Sequence, residues 1–155
     1  EYNQALNICS VDIIQLIESV IENLKISKER IIIASDTNGI NIQVDEDKIK
    51  TVFKNIIENA YKYSNTKARP IEIFFKKEEN QLNCYIKDYG AGIPKDDIPY
   101  IFEPFYRVDP SRSRETGGYG LGLSICKKIM DVHEGTITIE SKLNEGTTIA
   151  LSFKI

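Results

Sequence analysis

The sequence predicts an α+β fold: a two-layer sandwich with helices on one face of a mixed, mainly antiparallel sheet. Three observations predict it. Apolar periodicity runs helix, strands, helix, strands, irregular stretch, helix, strands. The strands come in hairpin-like pairs rather than singly between helices, which disfavours a parallel sheet. Neither GxxxxGK followed by Ser or Thr, nor a strand-led GxGxxG in a βαβ setting, is present.

Residues 12–25 read as a helix, with Ile13, Leu16, Ile17, Val20 and Leu24 at helical spacing and Asp12 as its cap. Residues 30–34 and 40–44 are short β-branched runs on either side of Asn38-Gly39, a hairpin turn signal. Residues 46–63 form the clearest helix, carrying Ile49, Val52, Phe53, Ile56, Ile57 and Ala60 on one stripe. Residues 71–77 and 81–88 alternate as strands around Glu79-Asn80. From Asp88 to Leu123 the chain is rich in Gly, Pro and charge, and a long irregular stretch in a compact domain is usually functional. A helix follows at about 121–132, with Gly135 suited to its C-terminal cap. Strands at 136–140 and 147–153 close the chain, and residues 1–155 are read as one domain.

Composition narrows the function classes. A net charge of −3 argues against a general nucleic-acid binder. Three cysteines, Cys9, Cys84 and Cys126, make no CxxC pair, which disfavours a disulfide framework or a structural zinc site and fits a reducing cytosol. No apolar run approaches the ~18 residues that span a bilayer. The chain opens without an initiator methionine and is read as a fragment of a longer protein.

The helix at 46–63 carries a polar stripe opposite its apolar one. Taking Asn55 as zero, Asn59 lies about 40 degrees round the helix, Lys62 about −20 degrees, Glu58 about −60 degrees and Tyr63 about 80 degrees. Asn carbonyl oxygens suit Mg²⁺, a lysine meets phosphate charge, and a border tyrosine can stack on a base. A solvated helix face has the same composition. Residues 88–94 read DYGAGIP at a strand end: Asp88 can accept from an exocyclic amine, and Gly90 and Gly92 permit close backbone approach, as they also would in a plain tight turn. Residues 101–107 read IFEPFYR, with Phe102, Phe105 and Tyr106 around Pro104, either a satellite core or the anchor of a mobile lid. Residues 109–116 have lid composition, and Arg112 and Arg114 can reach phosphate oxygens or simply face water. Residues 117–124 read GGYGLGLS before a helix, where exposed N–H groups and the helix dipole favour anions.

In this order, NIIENAYKYS, DYGAGIP, IFEPFYR and GGYGLGLS resemble the N, G1, F and G2 boxes of bacterial sensor histidine kinases, and Glu145-Gly146-Thr147-Thr148 resembles a further glycine motif of that family. The resemblance covers essentially the whole chain, residues 1–26 looking like the opening strand and first helix that follow a dimerisation hairpin. It implies a Bergerat (GHKL-type) ATP-binding sandwich. By matching positions, Asn55 and Asn59 would hold Mg²⁺, Lys62 would meet phosphate, Tyr63 would lie over the adenine and Asp88 would bind its amino group. Gly90, Gly92, Ile93 and Tyr106 would shape the pocket. Gly118, Gly120, Leu121, Gly122 and Leu123 would line the triphosphate, and Thr147 would support the adenine site through water. Asn59, Lys62 and Glu58, with Arg112 and Arg114 from the lid, would serve transfer of the γ-phosphoryl group from ATP to a histidine on a separate dimerisation domain.

The resemblance further implies partners: the kinase's own phosphoacceptor hairpin and, downstream, a response regulator, with no nucleic acid. The isolated domain is expected to be a monomer with little turnover alone, cytoplasmic, its parent in the cell membrane. Alternatives are an anti-sigma-type serine kinase, a GHKL ATPase and a degenerate nucleotide-binding module. Related hydrolases place a water-activating carboxylate where this chain has Asn55, which cannot be a general base. The one histidine, His133, is followed by Glu134 as in a phosphoacceptor motif, but Gly135-Thr136-Ile137 marks a helix end and a strand start. It is expected to be a helix-end residue placed favourably for the helix dipole.

Overall fold

The computed structural model describes residues 5–34, 39–64, 69–106 and 122–155. In chain order these form β1 (Ile8–Asp12), α1 (Ile13–Asn23), β2 (Ile31–Ala34), β3 (Asn41–Asp45), α2 (Glu46–Tyr63), β4 (Ile71–Glu78), β5 (Gln81–Asp88), α3 (Gly122–Val132), β6 (Thr136–Lys142) and β7 (Gly146–Lys154). Five strands make one sheet in the order β2-β4-β5-β7-β6, in which only the β2–β4 pair is parallel. β1 and β3 pair antiparallel in a separate two-stranded sheet.

The expected hairpin at 30–44 is therefore corrected. β2 joins β4, whereas β3 joins β1, with Cys9 opposite Val44. Gly39 does take the positive φ of 81° that a turn residue supplies. What overrides the local turn signal is burial. Val11, Ile42 and Val44 cover one flank of the core from the small sheet, while Ile31 enters the large one.

Side chains of Asp12 and Asp45 start the first two helices. Asp12 accepts from the N–H groups of Ile14 and Gln15, at 3.0 and 3.2 Å, and Asp45 from that of Lys48 at 3.3 Å. Glu46 and Asp47 in the first turn of α2 and Lys62 in its last also suit the helix dipole. The buried stripe of α2 packs onto the sheet, with the Phe53 and Phe153 rings stacked 6.4 Å apart. α3 packs beside α2 through Cys126, Ile129 and Met130.

The end of α3 corrects a second expectation. The residue with positive φ is Glu134, at 58°, not Gly135. The Gly135 N–H reaches back to Met130 O at 2.9 Å and that of Glu134 to Asp131 O at 3.0 Å, the paired bonds of a Schellman cap. Gly135 is required for another reason: a Cβ there would sit 2.5 Å from the Ser152 carbonyl oxygen. His133 stands in the same turn with both ring nitrogens engaged. Nδ1 lies 2.8 Å from Ile129 O, and Nε2 accepts from the Asp45 N–H at 3.1 Å.

Candidate functional site

The inner face of the sheet changes character at one step of register. Ile86, Ile149 and Ile139 lie side by side across β5, β7 and β6, Ile86 and Ile149 buried and Ile139 packed against the core. Two residues further along, on the same face, the row is Asp88, Thr147 and Ser141. The apolar floor ends and a polar wall begins.

Asp88 is only 7% exposed. Burial pushes its carboxyl up, against the opposing pull of hydrogen bonds from the Gly90 and Thr147 N–H groups. The Gly90 bond is 2.9 Å long. Asp88 is thus a buried acceptor held by two backbone donors, the chemistry needed to take an exocyclic amine.

The loop after Asp88 is wedged between two backbones. A Cβ on Gly90 would lie 2.2 Å from the Tyr63 carbonyl oxygen at the end of α2. One on Gly92, where φ is 77°, would lie 2.1 Å from the Lys142 carbonyl oxygen. On the opposite strand, a Cβ on Gly146 would lie 2.1 Å from Asp88 O. These glycines bring the DYGAGIP loop, the α2 terminus and the β6–β7 hairpin into contact. The Asn144 N–H donates to Ala91 O at 2.7 Å, and the Ile93 N–H to Ser141 Oγ at 2.7 Å.

The polar stripe belongs to α2, whose C-terminal end meets the loop after Asp88 at Gly90. Asn55, Glu58 and Asn59 are half-buried, and Lys62 and Tyr63 are exposed. Lys62 Nζ lies 3.7 Å from Glu58 Oε1. Asn55 reaches α3: its Oδ1 lies 3.4 Å from where a Gly122 Cβ would be, and its side chain hydrogen-bonds Cys126. The first turn of α3 therefore rests directly on the N box. Leu123 packs partly buried against the core. Arg112, Arg114, Gly118, Gly120 and Leu121 lie outside the described residues.

The IFEPFYR segment divides. Ile101 is buried and Phe102 half-buried against the core, but Phe105 is 71% exposed with a φ of 66°. The expected packing of Phe105 around Pro104 is not found; this left-handed backbone turns its ring outward. Tyr106 turns its hydroxyl to Asp97, an interaction that pushes the hydroxyl up to about 12. Its ring lies 5.6 Å from that of Tyr100.

Ser141 escaped the sequence reading. A single serine in the strand TITIESK carries no spacing signal, and its position beside Thr147 emerges only from the register of β6 on β7. Among the described residues no group of three or more His, Cys, Asp and Glu side chains could hold a metal ion. Asn55 and Asn59 are neutral oxygen donors, so they fit Mg²⁺ only where phosphates and water supply the remaining ligands. Among the described residues no helix is long and apolar enough to cross a membrane.

A family model described as "Histidine kinase-, DNA gyrase B-, and HSP90-like ATPase" matches residues 44–155. Sensor histidine kinase YkoH of Bacillus subtilis (strain 168) is 36% identical over 145 residues, covering 93% of this chain and 31% of that protein. WalK of the same organism is 37% identical over 146 residues, covering 92% and 24%. ArlS of Staphylococcus aureus (strain USA300) is 40% identical over 117 residues, covering 76% and 26%. The chain thus spans between 24% and 31% of the length of these relatives. Among solved structures, the catalytic domain of histidine kinase ThkA superposes with a TM-score of 0.79 at 27% identity, covering 96% of both chains. Mycobacterial sensor histidine kinase MprB gives 0.79 at 23% identity, covering 95% of this chain and 97% of that one, a likeness of fold.

Proposed function

The chain belongs to the histidine kinase-, DNA gyrase B- and HSP90-like ATPase family, and on that premise we propose that it is the ATP-binding catalytic domain of a two-component sensor histidine kinase. The observation that carries this reading is the buried Asp88 acceptor at the end of the apolar floor, flanked by glycines in backbone contact, one of them against the C-terminal end of α2. An adenine fits a wall whose acceptor meets its amino group and whose floor is apolar.

Asp88 takes the amino group of the base, and Gly90 and Gly92 let the loop close against it. Tyr63 covers the ring, and Thr147 supports the base side through water. Asn55 and Asn59 would hold Mg²⁺, which neutralises phosphate charge when bound. Lys62 exchanges its partner Glu58 for phosphate, leaving Glu58 to polarise the acceptor. The α3 N-terminus, with Gly122 and Leu123, receives the phosphates on its N–H groups. The family resemblance would assign Gly118, Gly120 and Leu121 to the triphosphate and Arg112 and Arg114 to the transferred phosphate. Catalysis of this kind is positioning plus charge neutralisation. The γ-phosphoryl leaves ATP for a histidine nitrogen of a separate dimerisation hairpin, and a response regulator receives it next. The isolated chain is a monomer because the hairpin supplies the dimer contact, and the parent protein resides in the cell membrane.

Calorimetric titration with a non-hydrolysable ATP analogue, with and without Mg²⁺, tests the site. Saturable binding by the chain and none by Asp88→Asn is expected; no binding by the unsubstituted chain overturns the reading. Supplying the phosphoacceptor hairpin and ATP should then give acid-labile phosphohistidine, whereas acid-stable phosphoserine would point to a serine kinase.

A further inference from the structure

Ser141 Oγ makes three contacts at one point. It accepts the Ile93 N–H at 2.7 Å, lies 2.9 Å from the Gly146 carbonyl oxygen and lies 2.8 Å from Thr147 Oγ1. A serine hydroxyl has one proton and two lone pairs. A carbonyl oxygen only accepts, so the Ser141 proton goes to Gly146 O. The lone pairs then take the Ile93 N–H and the Thr147 O–H. All three sites of the hydroxyl are used, and the proton of Thr147 is committed to Ser141.

Two consequences follow. The DYGAGIP loop is tied through Ile93 to the same hairpin that presents Thr147. And Thr147 Oγ1, with its proton turned away, has only lone pairs left to offer. Beside it, Asp88 is an acceptor already holding the Gly90 and Thr147 N–H groups. The wall from Asp88 to Thr147 is then all acceptor. Such a wall matches the amino group at position 6 of adenine and opposes the carbonyl oxygen that guanine carries there. A site built of oriented buried polar groups rejects the wrong partner by leaving those groups unpaired.

We propose that Ser141 is a positioning residue that fixes the hydroxyl of Thr147 as an acceptor and thereby sets the preference of this pocket for adenine over guanine nucleotides. It acts through Thr147 and Ile93 and does not touch the base. This rests on the reading of the pocket as a nucleotide site and adds to it the group that sets purine choice.

The test measures the affinities of non-hydrolysable ATP and GTP analogues, with Mg²⁺, for the unsubstituted chain, Ser141→Ala, Ser141→Thr and Thr147→Val. In Ser141→Ala the Thr147 proton is free to turn toward the water between it and the base, so that water keeps both its protons to offer the guanine carbonyl, and the ATP-to-GTP affinity ratio should fall by roughly tenfold. Ser141→Thr keeps the hydroxyl and should restore most of the ratio. A merely structural role would lower both affinities alike and leave the ratio unmoved. No ATP-analogue binding by the unsubstituted chain overturns the nucleotide reading and this inference with it. Normal binding with an unchanged ratio in Ser141→Ala overturns the inference alone. Should Ser141→Ala lose its cooperative thermal unfolding, Thr147→Val decides: it removes the same oriented acceptor, and an unchanged ratio there overturns the inference.

Discussion

The imidazole of His133 joins the end of α3 to the start of α2, its Nε2 accepting from the backbone N–H of Asp45, 88 residues away, at 3.1 Å. For that bond Nε2 must carry a lone pair, so the ring proton sits on Nδ1, 2.8 Å from Ile129 O. The ring is a strut between two helices rather than an exposed nucleophile. His133→Ala should cost about 1–2 kcal/mol, because it leaves a partly buried N–H without its partner. Thermal unfolding measures that cost. Phosphotransfer to a supplied hairpin should be unchanged, and its loss would restore His133 as a phosphoacceptor candidate.

Asp45 and Asp88 should bend the pH dependence of stability in opposite directions. Burial pulls the Asp45 carboxyl up, but hydrogen bonds from the N–H groups of Asn7 and Lys48, with the Lys48 charge, outweigh it and hold it below its ordinary value. Its folded state therefore binds protons less readily than the unfolded chain. The stability it contributes is present above the ordinary carboxylate range and lost as pH falls through the lowered folded value. Asp45→Asn should flatten the acid limb of a denaturant-midpoint profile; an unchanged limb would contradict this.

For Asp88 the sign reverses. Burial raises its carboxyl above the ordinary value, so the folded state holds the proton more tightly. Stability is then lost as pH rises from the ordinary carboxylate range through the raised folded value. Between those limits the unsubstituted chain should lose stability relative to Asp88→Asn. ATP-analogue affinity should rise over the same window as the carboxylate forms. A coincident titration in both experiments is the expected result.

The glycines divide by what a methyl group would meet. Gly90→Ala and Gly92→Ala drive a Cβ to 2.2 and 2.1 Å from backbone carbonyl oxygens, so each should cost roughly 2–4 kcal/mol and abolish analogue binding. Gly122→Ala places its Cβ at 3.4 Å from Asn55 Oδ1, an ordinary contact in a helix that favours alanine. Its melting temperature should hold or rise, so any loss of affinity there reports on the phosphate side alone. Melting curves of the three variants separate the two cases.

Cysteine chemistry should be confined to one position. Cys9 is exposed, whereas Cys84 and Cys126 are buried. Burial pushes the Cys126 thiol up to about 12 and raises that of Cys84 further, so neither forms thiolate near neutrality. Mass spectrometry after iodoacetamide treatment of the folded chain should show one adduct, on Cys9. Adducts on Cys126 before unfolding would mean that α3 opens away from α2.

Much of this was legible in the chain because it rests on local period. The buried stripe of α2, the β4–β5 and β6–β7 hairpins and the capping role of Asp12 follow from spacings within one element. The partition of β2 and β3 did not: Asn38-Gly39 signals a turn but cannot say which strands the flanking residues will join. Nor could Glu134 be distinguished from Gly135 as the left-handed residue, since the choice depends on which N–H groups close back on Asp131 O and Met130 O. Asp88 was visible by motif. Ser141 became meaningful only when β6 and β7 were set in register.

That register has a consequence for tolerance to change. The apolar row of Ile86, Ile149 and Ile139 lies two residues from the row of Asp88, Thr147 and Ser141 on the same pleated face. A slip of one residue between β5 and β7 would turn Ile149 out to water and Thr148 in, so the hydrophobic floor penalises any misalignment of the wall. The isoleucines act as a vernier for the hydroxyl and carboxylate groups of the next row. Recognition here inherits its spatial accuracy from folding, and substitutions that loosen the floor should blur selectivity before they unfold the chain.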